Sequence, residues 1–196
     1  MKAATRPDQE TDAEVIERSL AEPDCFAMVF DRYYDRILGY LGRRIDLSLA
    51  EDLASEVFLI AFRKRARYDL EHRDAGPWLF GIATNQLRRH RRDEARFYQS
   101  LARSRLDLVN EDGGADRVDA RVTAQASRWR LAAALAELSK GDRDVLTLVA
   151  FGGLTQDDVA QVLDIPPGTV KSRLHRARAR IRAAFGDLDP TLAQED

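Results

Sequence analysis

A single cysteine, Cys25, in 196 residues leaves no partner for an intrachain disulfide. The three histidines, His72, His90 and His175, are scattered and match no usual zinc spacing. No metal or other cofactor is therefore expected. Proline and glycine are scarce, six and eleven residues, and fall between periodic segments. That favours an all-helical chain over a turn-rich one. No apolar run approaches the length of a membrane span, and the first residues lack the apolar core of a secretion signal. A cytoplasmic protein without membrane insertion is expected. There is also no phosphate-cradling glycine loop and no nucleophile–base arrangement, so the expectation is not an enzyme. Asp107, Glu111, Asp112 and Asp116 imitate a metal cluster, but they sit in an acidic, glycine-containing stretch and read as a solvated charge run.

What is present is charge, a third of all residues, sorted along the chain although its sum is only −2. Arg63, Lys64, Arg65, Arg67, Arg73, Arg88, Arg89, Arg91 and Arg92 crowd one stretch. Lys171, Arg173, Arg176, Arg178, Arg180 and Arg182 crowd another. Acids dominate residues 107–119 and both ends. Local fields, rather than the total, steer a protein towards a polyanion.

Periodicity divides the chain into helices. A short one is expected around residues 13–20. Phe26, Phe30, Tyr33, Ile37 and Leu41 recur at helical steps and predict a buried stripe. Ser48 with Glu51 fits a capping box opening the next helix, which carries Leu53, Val57 and Ile60 to about residue 67. Residues 68–76 break the pattern as a loop, and Pro77 suits the first turn of another helix. Residues 95–122 lose strong periodicity and read as a linker, with one helical stretch over 97–106. Leu131, Leu135 and Leu138 mark a further helix; Ser139 with Asp142 opens the next, and Gly152-Gly153 closes it.

Residues 155–182 have the pattern of a helix-turn-helix. Thr155 caps a helix with Asp158 three residues on, and Val159, Ala160, Val162 and Leu163 pack it. Asp164 tolerates the left-handed backbone of a tight turn, and Ile165 plugs the junction. Pro166-Pro167-Gly168 starts a second helix whose back is Val170, Leu174, Ala177 and Ile181. Thr169, Lys171, Ser172, Arg173, His175 and Arg176 are left to face outward, the division that a recognition helix in the major groove requires.

In the first half, Tyr68, Trp78 and Phe80 lie around the polar loop, next to Arg88, Arg89, Arg91 and Arg92. Two readings compete. Aromatic faces stack on unpaired bases while arginines hold the backbone, and Asn85, two turns past Trp78, offers an amide to a base edge. Alternatively Trp78, Phe80 and Ile82 are core, which pattern alone favours for Trp78.

Together the two halves resemble the extracytoplasmic-function (ECF) sigma factors of bacterial RNA polymerase, in the sigma-70 superfamily. The first match is Ala50-Glu51-Asp52-Leu53-Ala54-Ser55-Glu56-Val57-Phe58-Leu59-Ile60-Ala61-Phe62-Arg63 followed by Pro77-Trp78-Leu79-Phe80-Gly81-Ile82-Ala83-Thr84-Asn85. The second is Leu154-Thr155-Gln156-Asp157-Asp158-Val159-Ala160, then Ile165-Pro166-Pro167-Gly168-Thr169-Val170-Lys171-Ser172-Arg173-Leu174-His175-Arg176-Ala177-Arg178. The second motif alone also suits response-regulator DNA-binding domains; the pair is much more specific.

The resemblance implies an all-α protein of two small helical domains joined by a linker, the C-terminal one a helix-turn-helix. The expected divisions are an N-terminal segment at 1–24, a core-polymerase and −10 element domain at 25–94, a linker at 95–123, a −35 element domain at 124–186 and a tail at 187–196. Asp52 and Glu56 would meet a basic coiled coil of core RNA polymerase. The loop, Tyr68, Trp78 and Asn85 would capture a flipped −10 base, with Arg88, Arg89, Arg91 and Arg92 on phosphates. Thr169, Lys171, Ser172, Arg173, His175 and Arg176 would read the −35 element. The implied partners are core RNA polymerase, promoter DNA and, as in some members, an anti-sigma protein. Departures lie in the loop and at His175, where the family varies, and at Val149, where some members place an arginine. The chain stops soon after Phe185, so the extra C-terminal domain of some members is not expected. The competing reading is a helix-turn-helix regulator that is not a polymerase subunit, which leaves the first domain without a role.

Overall fold

The computed structural model describes residues 10–108 and 130–185. Among these, every regular element is helical: α1 (Asp12–Arg18), α2 (Ala27–Gly42), α3 (Leu47–Lys64), α4 (Gly76–Arg89), α5 (Arg91–Leu108), α6 (residues 130–137), α7 (Lys140–Ala150), α8 (Gln156–Leu163) and α9 (Pro167–Phe185), with 3-10 turns at Pro23–Phe26 and Arg65–Arg67. No described helix is long and apolar enough to cross a membrane.

Local chemistry sets the helix starts. Thr11 and Glu14 form a reciprocal capping box on α1, and Thr155 and Asp158 form another on α8. Ser139 accepts from the Asp142 N–H and opens α7 as expected. The start of α3 differs from the expectation. Its cap is Asp46, whose carboxylate accepts from the Leu49 N–H, so Ser48 lies inside the first turn. With the helix already starting at Leu47, this carboxylate meets a free N–H of the first turn, and no cap at Ser48 is needed.

The helices α2, α3 and α4 pack around one apolar core, to which α1 adds Val15 and Ile16. The predicted stripes are correct in period but not always in phase. On α2 the buried side chains are Val29, Tyr33, Ile37, Tyr40 and Leu41, while Phe30 is exposed and stacks on Tyr34. On α3 they are Leu53, Ala54, Val57, Phe58 and Ala61, with Ile60 only half-buried. On α4 they are Leu79, Phe80, Ala83 and Leu87, which leaves Trp78 and Ile82 half-buried at the edge. One residue of phase is 100° of rotation, enough to move a side chain from core to rim.

The core does not stop at α4. Val145 and Leu148 of α7, Val159 and Leu163 of α8, and Leu174 of α9 continue the same cluster. Helix α8 packs directly on α4, and α7, α8 and α9 pack on one another. A second cluster joins Leu135, Leu138, Ala177 and Ile181 to Tyr98 of α5. The stretch expected to be a linker therefore starts as the 18-residue helix α5, because Tyr98 has a core to enter. The acidic stretch at 110–116 and the expected start at Ala124 lie outside the described residues.

Candidate nucleic-acid interface

Two surfaces qualify. The first is built on the loop at 68–75 and on α4. Asp12, at the start of α1, is the knot that ties this loop. Its carboxylate accepts from Arg32 Nη1 (2.6 Å), from the Ala75 N–H (2.9 Å) and from the Tyr33 hydroxyl. Its own N–H donates to the Arg73 carbonyl (3.1 Å). Just before α4, the Asp74 carboxylate accepts from the Gly76 N–H (2.6 Å) and lies 2.8 Å from the Tyr33 hydroxyl. Burial, then these two carboxylates, push the Tyr33 phenol far above its usual range, so it stays a donor.

Tyr68 is buried; its ring packs 4.9 Å from that of Trp78, and its hydroxyl donates to the His72 carbonyl (2.5 Å). Burial pushes its phenol up as well. Above these rings opens a cleft of about 450 Å³. Trp78, Gly81, Ile82 and Asn85 of α4 form one wall, Lys64 and Arg67 one rim, and Asp69, His72 and Asp74 the loop side. Gln161 and Val162 of α8 line it too. The cleft thus combines a half-buried indole, an exposed amide and cations, which suits a planar base on a phosphate backbone.

The structure brings Tyr68, Trp78 and Asn85 together around the cleft. It spreads the arginines. Arg88 is half-buried, and its Nη1 donates to Asn85 Oδ1 (3.3 Å). Arg89 and Arg92 are exposed, and Arg91 opens α5. Asp52 and Glu56 are exposed one turn apart on α3, well away from the loop in sequence, with exposed Leu59 following on the same face.

The second surface is the front of α9. Asp164 ends α8 at φ 53°, the left-handed region, and the Ile165 N–H returns to the Ala160 carbonyl (3.0 Å). Val170, Leu174, Ala177 and Ile181 are buried as expected. Lys171, Ser172, His175 and Arg176 are exposed, and Thr169 is half-buried at the helix start. Arg173 departs from the outward set. It is half-buried, with its guanidinium over Gly141, where an added Cβ would come within 2.6 Å of Nη1. Arg176 Nη2 donates to Asp142 Oδ1 (2.9 Å). Burial raises the Asp142 carboxyl, but the Arg176 and Ser139 hydrogen bonds and the charges of Arg176 and Arg173 outweigh it, leaving the group below its usual range.

Sequence reasoning placed Tyr33 in the buried stripe without a role for its hydroxyl, and it missed Asp12, Asp74 and Arg44, the last a guanidinium only 1% exposed. Thr11-x-x-Glu14 is a legible cap, but nothing local says that the next residue, Asp12, holds a loop sixty residues away.

The Sigma-70 region 2 family model matches residues 29–97, and the Sigma-70, region 4 model matches residues 128–181. The chain is 30% identical to RNA polymerase sigma factor CarQ of Myxococcus xanthus, over 87% of this chain and 95% of that protein. It is 31% identical to ECF RNA polymerase sigma factor SigK of Mycobacterium ulcerans, over 90% and 95%. Among solved structures, CnrH in complex with the cytosolic domain of CnrY shares the fold at a TM-score of 0.65, with 23% identity over 89% of this chain and 96% of that one. The sigma factor RpoE in complex with the anti-sigma factor NepR, from Bartonella quintana, does so at 0.55, with 20% identity over 87% and 99%. On these matches to both regions, in the order that the cleft and the helix-turn-helix occupy along the sequence, the chain belongs to the ECF sigma factors of RNA polymerase.

Proposed function

We propose that this chain docks on core RNA polymerase through α3 and reads a promoter with two separate surfaces. Residues 25–94 form the unit for polymerase and the −10 element, and residues 124–186 form the unit for the −35 element; 95–123 join them, flanked by 1–24 and 187–196. Asp52 and Glu56 are the carboxylates for a basic partner helix. The cleft takes an unpaired base between Trp78 and Asn85, over a floor that includes Tyr68, while Arg88, Arg89, Arg91 and Arg92 hold nearby phosphates. Thr169, Lys171, Ser172, His175 and Arg176 face the −35 duplex, and Arg173 braces α9 from behind.

The observation that carries this reading is the presence, in one chain, of an aromatic, cation-rimmed cleft and a capped helix-turn-helix. A cleft binds single strands by stacking, whereas a recognition helix reads duplex in the major groove. A protein with both is suited to the boundary between closed and opened DNA. It would work where core polymerase works, in the cytoplasm, and an anti-sigma protein is part of the proposed partner set.

The test uses purified core polymerase. Adding the chain is expected to start transcripts at discrete positions downstream of matched −35 and −10 elements. Failure to bind core polymerase, with duplex binding intact, would replace this reading with that of an ordinary helix-turn-helix regulator.

A further inference from the structure

We propose that Asp142 is a positioning residue for promoter reading: fixed in the first turn of α7, it orients the Arg176 guanidinium so that α9 offers a pre-set fork to one base pair of the −35 duplex. The proposal rests on the reading of α9 as the duplex-facing helix and adds a source for its selectivity.

The support is built from α7 outward. Ser139 opens the helix, and its hydroxyl accepts from the Asp142 N–H (3.2 Å), so the backbone beneath the carboxylate is fixed. Asp142 is buried where α7 and α9 pack on each other. Its Oδ1 accepts from Arg176 Nη2 (2.9 Å), and the two side chains differ sharply in exposure, 12% for the aspartate and 58% for the arginine. Burial disfavours the ionised carboxyl, but the Arg176 and Ser139 hydrogen bonds and the nearby arginine charges outweigh it, so Asp142 stays an anion. A buried anion held by its own helix and bonded to the tip of an exposed cation sets where that cation points.

The neighbours of Arg176 on α9 reinforce the arrangement. Arg173 covers Gly141 so closely that an added Cβ there would lie 2.8 Å from its guanidinium carbon. Glycine at this position admits the arginine beside α7, and the Arg173 charge also acts on Asp142. Arg180 donates through Nη1 to the Glu137 carbonyl (3.1 Å). Arg173, Arg176 and Arg180, at i, i+3 and i+7, therefore all lean on the junction of α6 and α7. Behind them the buried Val170, Leu174 and Ala177 fix the rotation of α9. Lys171 and His175 contrast with this row: they are exposed and carry no ion pair or side-chain hydrogen bond among the described residues.

An arginine free in solvent gives up rotamer freedom when it binds. One already bonded at Nη2 has given up much of that freedom on folding. The single bond to Asp142 leaves Nη1 and Nε, so the planar fork still has donors for paired acceptors on a base edge. A fork set at one angle rewards the base that matches it, whereas a loose one serves any phosphate within reach. The charge of Asp142 acts in the same direction, because it opposes the phosphate backbone on every sequence alike. Asp142 therefore raises discrimination more than affinity.

The experiment measures binding of the full chain to two duplexes, one that the parent itself selects from a randomised pool and one with the same bases scrambled. The parent is compared with Asp142→Ala, with Asp142→Asn, which keeps an acceptor oxygen without the charge, with Arg176→Ala and with the double variant Asp142→Ala/Arg176→Ala; circular dichroism checks folding. Asp142→Ala should weaken binding to the selected duplex by about threefold to tenfold while scrambled binding stays within about twofold or tightens, and Asp142→Asn should lose about twofold on the selected duplex alone. Preference should flatten at the base pair where Arg176→Ala flattens it, and Asp142→Ala should cost no further selectivity once Arg176 is absent. Equal weakening on both duplexes would make Asp142 a support of the fold only and overturn the proposal. Equal tightening on both, the mark of an acid that only repels DNA, overturns it too, as does a folded Asp142 variant with parental selectivity. A parent that selects no sequence overturns the duplex-reading role of α9 itself, and the positioning role with it.

Discussion

The two surfaces proposed to face DNA are built on opposite principles. The helix-turn-helix is assembled from neighbours in sequence: a cap, a left-handed aspartate, a proline start and an apolar stripe, all within about thirty residues. The cleft is assembled from afar, because a loop has no periodic hydrogen bonds of its own. Asp12, Tyr33 and Asp74 supply them across more than sixty positions. A surface made locally survives changes elsewhere; one made at a distance fails when its remote knot is cut.

The sharpest way to break that contrast is Asp12→Ala. It strands Arg32, Tyr33 and the Ala75 N–H, and should cost about 3 kcal/mol in urea unfolding. Single-strand binding should be lost with it, while duplex binding by α9 persists in the folded fraction. Parallel loss of both activities would show that the surfaces are not independent.

Arg176→Ala tests the local surface from within. Binding to a −35 duplex should weaken by about 1–3 kcal/mol if the side chain reads a base, with relaxed preference at one position. The same variant should raise the Asp142 titration, observed by carboxyl NMR, because its main hydrogen-bonded cation is gone. The sign for stability follows. A carboxyl held below its unfolded value stabilises the fold above that value, and the gain disappears as pH falls through the lower, folded one. The variant should therefore lose less stability on acidification than the parent.

Asn85→Ala should impair promoter opening by about 1 kcal/mol, the worth of a neutral hydrogen bond, and leave polymerase binding unchanged. Equal opening would remove Asn85 from the site. Thr155→Ala, which deletes the cap of α8, should lower stability in urea unfolding by about 1 kcal/mol.

Legibility followed the same divide. The Thr155 cap, the Asp164 turn and the buried row on α9 could be read because each is fixed within one or two helical turns. Pattern alone favours the core for Trp78, but helical period fixes spacing and not phase; Leu79 and Phe80 take the core and leave the indole half-buried at the cleft. The cap of α3 was misplaced because Asp46 and Ser48 offer equivalent acceptors, and only the backbone decides which is used. Arg44 was invisible. Its neighbours Arg43 and Ile45 give no hint that it would be sunk between Glu94 and Asp144, fifty and a hundred residues downstream.

The manner in which the loop is anchored has a consequence for how such proteins diversify. Its ties run to main-chain groups of residues 72, 73 and 75 and to the carboxylate of Asp74, while Leu70, Glu71 and Arg73 turn their side chains to solvent. Replacing those three side chains leaves every anchoring bond in place. If the loop meets the −10 strand as proposed, new promoter preferences can be drafted on it without redrawing the frame beneath.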